Sequence, residues 1–412
     1  MKSSAITILG FGFYAAGLSV THAAAWVPFS ATLGTQCVPI DINDSGTTVG
    51  MCRPASDTAN NIPWVADGAA HGAQTALPPL ASGQPCNLRA ISNNGKVMGN
   101  CADASNSHFG SVWAATSPAA TPLKLDSLPA PLIPLLRPKD VSTKAVAIND
   151  QGDVAGSSFD ADNQGTAVFY ANGSGTPERV SGWGDNCAVA DINLPTSGTP
   201  QIALNCPNSA GNTTARVAEK SGLSYSMTNL ALPTGASYCT VSRAINASKF
   251  VGTCIYPNSA VNVRKSAFWS DKTSTPLVLT LSSDSKNMAI RINESGLVLV
   301  SQATADGLNQ FMTWFPSRFP IPAIAFITLP VGSKQADAGM IANGNVVALN
   351  ILNAGQHEQG CTWKQSVGTV CLPPIGGGKI NTVVAISKNG TYMAGTAMDA
   401  TQTNIPVTTT LP

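Results

Sequence analysis

Charge is scarce in this 412-residue chain: 11% of its residues are Asp, Glu, Lys or Arg, and the formal net charge is +1. So low a charge lacks the electrostatic footprint of a nucleic-acid binder, and no polyanion partner is expected. Glutamate is rarer still, standing at 178, 219, 294 and 358. A carboxylate pair for glycosidic chemistry therefore requires distant parts of the chain to converge. No G-x-S-x-G, P-loop or H-E-x-x-H is present, and no C-x-x-C or Cys/His spacing of a zinc site. That removes the local signatures of a nucleophile elbow, a phosphate cradle and a metal centre, and no cofactor is expected. Sustained 3.6-residue periodicity is also missing, while 37 Gly and 28 Pro punctuate short apolar segments. The pattern is one of strands and turns.

One long apolar run exists, at the start. MKSSAITILGFGFYAAGLSVTHAAAW carries a Lys, an apolar stretch from Ala5 to Val20 and small residues up to Ala25. The run is too short for a membrane span, so residues 1–25 are expected to be a signal peptide cleaved after Ala23 or Ala25, leaving 26–412 as one exported domain. No transmembrane segment is expected in the mature chain. In an oxidising compartment the ten cysteines become a disulfide framework.

The stretch 37-CVPIDINDSGTTVGMC-52 supplies the ruler. Its DINDSG core recurs as AISNNG (90–95), AINDQG (147–152), ADINLPTSG (190–198), AINAS (244–248), RINESG (291–296), MIANG (340–344) and AISKNG (385–390). The residue after the apolar Ile defines an anchor: Asn43, Ser92, Asn149, Asn193, Asn246, Asn293, Ala342 and Ser387. Anchor spacings run from 44 to 57 residues, the period of stacked or radial repeats. Twenty-one residues after the anchor an aromatic follows at Trp64, Trp113, Tyr170, Trp314 and Trp363, and at twenty-three in Trp269. A Leu-Pro segment comes third, as in LKLDSLP (123–129) and MTNLALP (227–233).

Each unit therefore reads as four short strands with a polar hairpin turn between the first two. A four-stranded unit of this length is a propeller blade. The last copy ends one strand short, and 26-WVPFSATLGTQ-36 precedes the first copy. The expectation is an all-β, single propeller of about eight blades, with seven possible because copy four has a longer turn and no aromatic, its ring closed by the N-terminal strand. The A-I-N-x-x-G-x-V-x-G hairpin and the strand 267-AFW-269 resemble the bacterial extracellular HAF repeat family over the whole mature chain. The family's naming His is replaced, since Ser266 precedes Ala267 and Phe268. The resemblance implies an exported repeat fold and supplies no activity.

Residues equidistant from a hairpin turn face each other, with Cβ atoms about 4.5–5.5 Å apart, close to the 3.5–4.5 Å of a disulfide. This predicts Cys37–Cys52, Cys86–Cys101 and Cys239–Cys254, each fifteen apart, and Cys187–Cys206 around the longer turn. Cys361 and Cys371 flank a later turn of copy seven. Where the staple is missing, both partners are replaced: Thr143 and Ser158, Asn287 and Gln302, Gln335 and Asn350. All ten cysteines are expected to be structural.

Little chemistry stands out. His71, His108 and His357 lie in non-equivalent loops and are expected to be solvated, and DADNQG (160–165) is at best a weak cation loop. Asp41 and Asp191 are equivalent and are read either as turn-side hydrogen-bond acceptors or as channel-facing carboxylates whose ring binds a cation. The apolar insertion PAPLIPLLRPKD (129–140) is either a contact surface or a loop packed over the rim. The expected function is a monomeric, secreted or periplasmic, non-catalytic binding or cell-surface interaction protein for a glycan or protein ligand. The alternatives are a carbohydrate-active hydrolase or lyase, which requires His357 or Glu358 to meet Asp41, and a structural envelope protein.

Overall fold

The structure is a computed structural model that describes residues 24–54, 60–130, 138–196, 198–257, 263–281, 286–304, 309–317, 323–401 and 403–412. Residues 1–23 of the expected signal peptide (1–25) and the centre of the apolar insertion (131–137) lie outside the described residues. Regular structure is almost wholly β, with one 3₁₀ turn at Ala171–Gly173 and no α-helix among the described residues.

Eight antiparallel blades follow one another. Their first strands are Thr35–Ile42, Cys86–Ile91, Asp140–Ile148, Ala188–Asn193, Tyr238–Ile245, Asn287–Ile292, Lys334–Ile341 and Asn381–Ile386. Blade 4 is a full blade in spite of its long turn, joined to blade 5 by a single parallel bridge, Thr214 with Cys239. Blade 8 takes three strands from the C-terminus and its fourth, Val27–Pro28, from the N-terminus, pairing Val27 with Thr408. Each blade packs on the next, and blade 8 packs on blade 1. Trp26 secures the junction: it is buried, and its indole N–H donates to Asn381 Oδ1 at 3.0 Å.

The repeat signals have local causes. The glycine three residues after the anchor has positive φ in five blades, for instance +83° at Gly46, a conformation that costs glycine little. In copies five and seven Ser248 and Asn345 take the same left-handed conformation. The glycine of the V-x-G strand has a different reason. Every first strand bulges once near its inner end, as between Leu88 and Ala90 or Val383 and Ala385. The bulge presses a first-strand carbonyl against the second strand, so a Cβ on Gly99 would lie 2.6 Å from the Asn87 carbonyl oxygen.

The aromatic and Leu-Pro landmarks are two halves of one contact. Trp113 of blade 2 donates its indole N–H to the Pro78 carbonyl of blade 1 (2.8 Å), Tyr170 its hydroxyl to Asp126 of blade 2 (2.8 Å), and Trp269 its indole N–H to Ala231 of blade 4 (2.9 Å). The aromatic thus ties each outer core to the preceding blade while filling the space between sheets. Trp64 departs from the pattern. It stands opposite Gly50, whereas Ala66 occupies the rung that Trp113 fills in blade 2, a shift of two residues that keeps the side chain on the same face.

Disulfides join Cys37–Cys52, Cys86–Cys101, Cys187–Cys206, Cys239–Cys254 and Cys361–Cys371. Among the unstapled hairpins, Thr143 faces Ser158 and Asn287 faces Gln302. The expectation for copy seven was one residue out: Gln335 faces Ile351, because a second bulge between Gln335 and Asp337 advances the strand.

Two outcomes follow for stability. Replacing Cys86 and Cys101 by alanine reopens a loop of about 15 residues and should cost about 3 kcal/mol, measured by guanidinium unfolding against the wild type. Trp26→Ala removes the buried tie between the chain ends and should cost about 3–5 kcal/mol in the same assay. A cost below about 1 kcal/mol would show that the N-terminal strand does not hold the last blade.

Candidate functional site

The first strands of all eight blades line one central channel with a cavity of about 890 Å³. The bulges set what it presents. The residue just past each bulge pairs with the second strand at the same level, which places Asp41, Ala90, Ala147, Asp191, Arg243, Arg291, Met340 and Ala385 on one ring. In copy five a shorter turn moves the bulge by one residue, so Arg243 stands where the plain anchor count would put Ala244.

Asp41 and Asp191 are hydrogen-bond acceptors and line the channel at once. The carboxylates line the channel, and each bridges two blades. Asp41 accepts the amides of Ile42 and, in blade 2, Ile91, both at 2.9 Å; Asp191 accepts those of Ile192 and, in blade 5, Ala244, both at 3.0 Å. Each carboxylate keeps some surface open to the channel and is otherwise ringed by protein. Burial pushes the Asp41 carboxyl up to about 6 against the pull of these amides and of Arg291, and pushes Asp191 upward against Arg243. Burial, followed by repulsion from Arg243, brings the Arg291 guanidinium down to about 10.

A polar collar forms one mouth of the channel from the residues just after the anchors and, in the short-turn copy five, from the anchor Asn246 itself. Asn389 N donates to Asp44 (2.7 Å), Asp44 N to Asn93 (2.9 Å), and Asn93 Nδ2 to Asp150 (3.1 Å). On the other side Leu194 N donates to Asn246 (2.8 Å), Asn246 N to Glu294 (2.9 Å), and Glu294 N to Asn343 (2.9 Å). Lys388 of blade 8 reaches Asp150 of blade 3 at 2.7 Å and Glu294 of blade 6 at 2.9 Å. Three non-adjacent blades meet at one ammonium, so Lys388 lies across the mouth. Burial alone would lower its pKa, but the two carboxylates outweigh that and raise it.

The other sequence candidates do not join this site. His71 Nδ1 contacts Thr408 Oγ1 (2.8 Å), and His108 and Glu358 are exposed at the starts of third strands, so Glu358 does not meet Asp41. DADNQG is a turn: Asp160 Oδ1 accepts the amides of Asp162 and Gln164, a geometry repeated at Asp103, Asn208, Asn353 and Asp399. No group of three metal-ligating side chains occurs among the described residues. Among them, too, no helix is long and apolar enough to cross a membrane. Arg243, Arg291, Glu294 and Lys388 were missed by sequence reading; aligning the residues beside the anchor across copies was the signal for Arg291, Glu294 and Lys388, while the one-residue slip in copy five hides Arg243.

No protein-family model and no curated protein matches the chain. Solved structures do. A post-proline cleaving enzyme from Rickettsia typhi matches with TM-score 0.54 at 9% identity, over 89% of this chain and 56% of that one. Porphyromonas gingivalis dipeptidyl peptidase 4 matches with TM-score 0.54 at 11% identity, over 91% and 57%. The β-propeller domain of the Trilobed protease from Pyrococcus furiosus matches with TM-score 0.50 at 9% identity, over 78% of this chain and 95% of that domain. The chain thus spans little more than half the length of the two whole peptidases. These likenesses establish the propeller fold. They also correct the functional expectation: the matched scaffolds belong to peptidases, which overturns the reading as a non-catalytic binding or cell-surface interaction protein together with its carbohydrate-active and envelope alternatives.

The site makes stability depend on pH. Native Asp41 titrates near 6 against an ordinary 3.8, so between about pH 4 and 6 the native state holds the proton more tightly and stability falls as pH rises. The contribution is about 2–3 kcal/mol, and Asp191 acts in the same direction. Guanidinium unfolding at pH 4.5 and 7 should show this fall, and Asp41→Asn should reduce it by about 2–3 kcal/mol. An unchanged pH slope in the variant would remove Asp41 from the account.

Proposed function

We propose that the protein is a peptidase-related propeller whose central channel admits a peptide substrate. The observation that carries this reading is the channel: eight strands face one cavity presenting carboxylates, guanidiniums and a polar collar, suited to a chain of amides with charged groups. The scaffold supports it, since the two peptidases matched over most of this chain act, by name, on peptide bonds. Five disulfides support export to an oxidising compartment. The hairpin repeat supports membership of the HAF-type exported repeat proteins.

Gly339 provides the test. It lines the channel on the blade 7 bulge, and a Cβ there meets nothing within 4 Å. Gly339→Trp should therefore obstruct the channel without disturbing the sheet. A mixture of photo-crosslinking peptides should label the first strands of the wild type, and labelling should fall roughly tenfold or more in the variant at unchanged circular dichroism. Labelling confined to outer strands, or undiminished by the plug, would sink the reading.

A further inference from the structure

The ring at the bulge level holds two Asp and two Arg, yet the two signs are in different situations. Each carboxylate already accepts two backbone amides. The guanidiniums are nearly unmatched: Arg243 Nη1 donates to the carbonyl of Ser242 (2.9 Å) and Arg291 Nη1 to that of Ile290 (3.2 Å). Among the described residues no carboxylate comes within 4.0 Å of either guanidinium. A guanidinium carries five N–H donors in a planar fork, so most of these donors have no acceptor among the described residues. The two arginines stand on neighbouring blades, at one level, facing one cavity. Two like charges repel there, and an anion between them turns that repulsion into two attractive, directional contacts.

From this geometry we infer that Arg243 and Arg291 form an anion site inside the channel, and that the group it takes is a carboxylate of the admitted peptide. The inference rests on the peptide-channel reading for its ligand and on the two guanidiniums for its chemistry. The site lies three residues inward from the collar, about 10 Å along the strand. Lys388 does not compete for the anion, because it is held by Asp150 and Glu294. A carboxylate has two sources in a peptide, the C-terminus and an acidic side chain, and the same fork serves either.

Calorimetric titration of the full chain separates the possibilities with four probes: an N-acetylated hexapeptide of glycine, serine and alanine with a free C-terminus, its C-terminal amide, the amide carrying one internal glutamate, and succinate. The free acid should bind at least roughly tenfold more tightly than the amide, and that ratio should collapse towards one in Arg291→Gln and Arg243→Gln. Arg291→Lys, which keeps the charge and loses the fork, should fall between. Recovery of affinity by the internal glutamate assigns the site to acidic side chains; no recovery assigns it to the C-terminus. Removing one of two facing like charges should leave the melting temperature unchanged or raised, which shows that the variants are folded. Equal binding of acid and amide in all proteins overturns the anion site and leaves the peptide channel standing. Succinate raising the melting temperature of the wild type but of neither glutamine variant, with no peptide bound, sustains the anion site and removes the peptide reading. No binding and no shift by any probe overturns both.

Discussion

At the anchors of blades 1, 4 and 6 an asparagine carboxamide works in two directions. In blade 1 Asn43 Oδ1 accepts the turn amides of Ser45 (3.2 Å) and Thr47 (2.9 Å), while Nδ2 donates to the carbonyl of Ser92 in blade 2 (3.1 Å). Asn193 and Asn293 reach Ile245 and Ala342 of their following blades in the same way. Turn geometry and blade packing are therefore one constraint, since a buried carboxamide deprived of either partner loses more than a single hydrogen bond is worth. Serine at the anchor performs the first half alone: Ser92 and Ser387 accept the amides of Lys96 and Thr391 but are too short to reach the next blade. At two junctions that the anchor does not tie, a second-strand asparagine does so instead. Asn100 and Asn350 each exchange two hydrogen bonds with the backbone of the next blade, at Ala145 and Val383, and Asn205 adds the same pair with Val241 to a junction already tied.

Such ties place a recurrent polar layer near the axis and leave the apolar layer outside it, where each aromatic docks on the preceding Leu-Pro segment. The division of labour explains the bulge. A regular strand would alternate its side chains between the two faces of its sheet; the extra residue rotates the next one towards the axis, and glycine opposite it in five blades makes room for the displaced carbonyl. Once the bulge is fixed, the residue beyond it borders the channel. Its identity is free to vary, and it does, from Ala to Met to Asp to Arg.

This freedom decides what was legible in the sequence. The anchor, the turn glycine, the aromatic and the paired cysteines recur because packing and turn geometry demand the same residue each time, and period-finding detects sameness. The channel residues are defined by difference at a shared level. Asp41 and Asp191 were visible because two copies agree, whereas Arg243 was concealed by a one-residue slip of the bulge in the short-turn copy. The collar was concealed in another way: Asp44, Asn93, Asp150, Leu194, Glu294, Asn343 and Lys388 follow their anchors in ordinary turn sequence, and only the folded chain brings Asp150 of blade 3 to Lys388 of blade 8. Trp64 and Gln335 mark the limit of counting along the chain, since a longer loop moves one by two rungs and a second bulge moves the other by one.

The charged ring also places the stabilising features. Two guanidiniums on neighbouring blades that make no ion pair within 4.0 Å among the described residues, beside two carboxylates raised by burial, work against the folded state. The outer parts of the blades compensate, because four of the five disulfides clamp first and second strands at the end away from the anchor turn, and buried indoles hold successive blades together. A scaffold stapled outside tolerates an axis tuned for something other than stability. Had the ring served only to hold the blades, backbone-bonded residues such as Asp41 would suffice, and neighbouring blades would gain nothing from two facing arginines. Their cost is intelligible when an anion completes the ring.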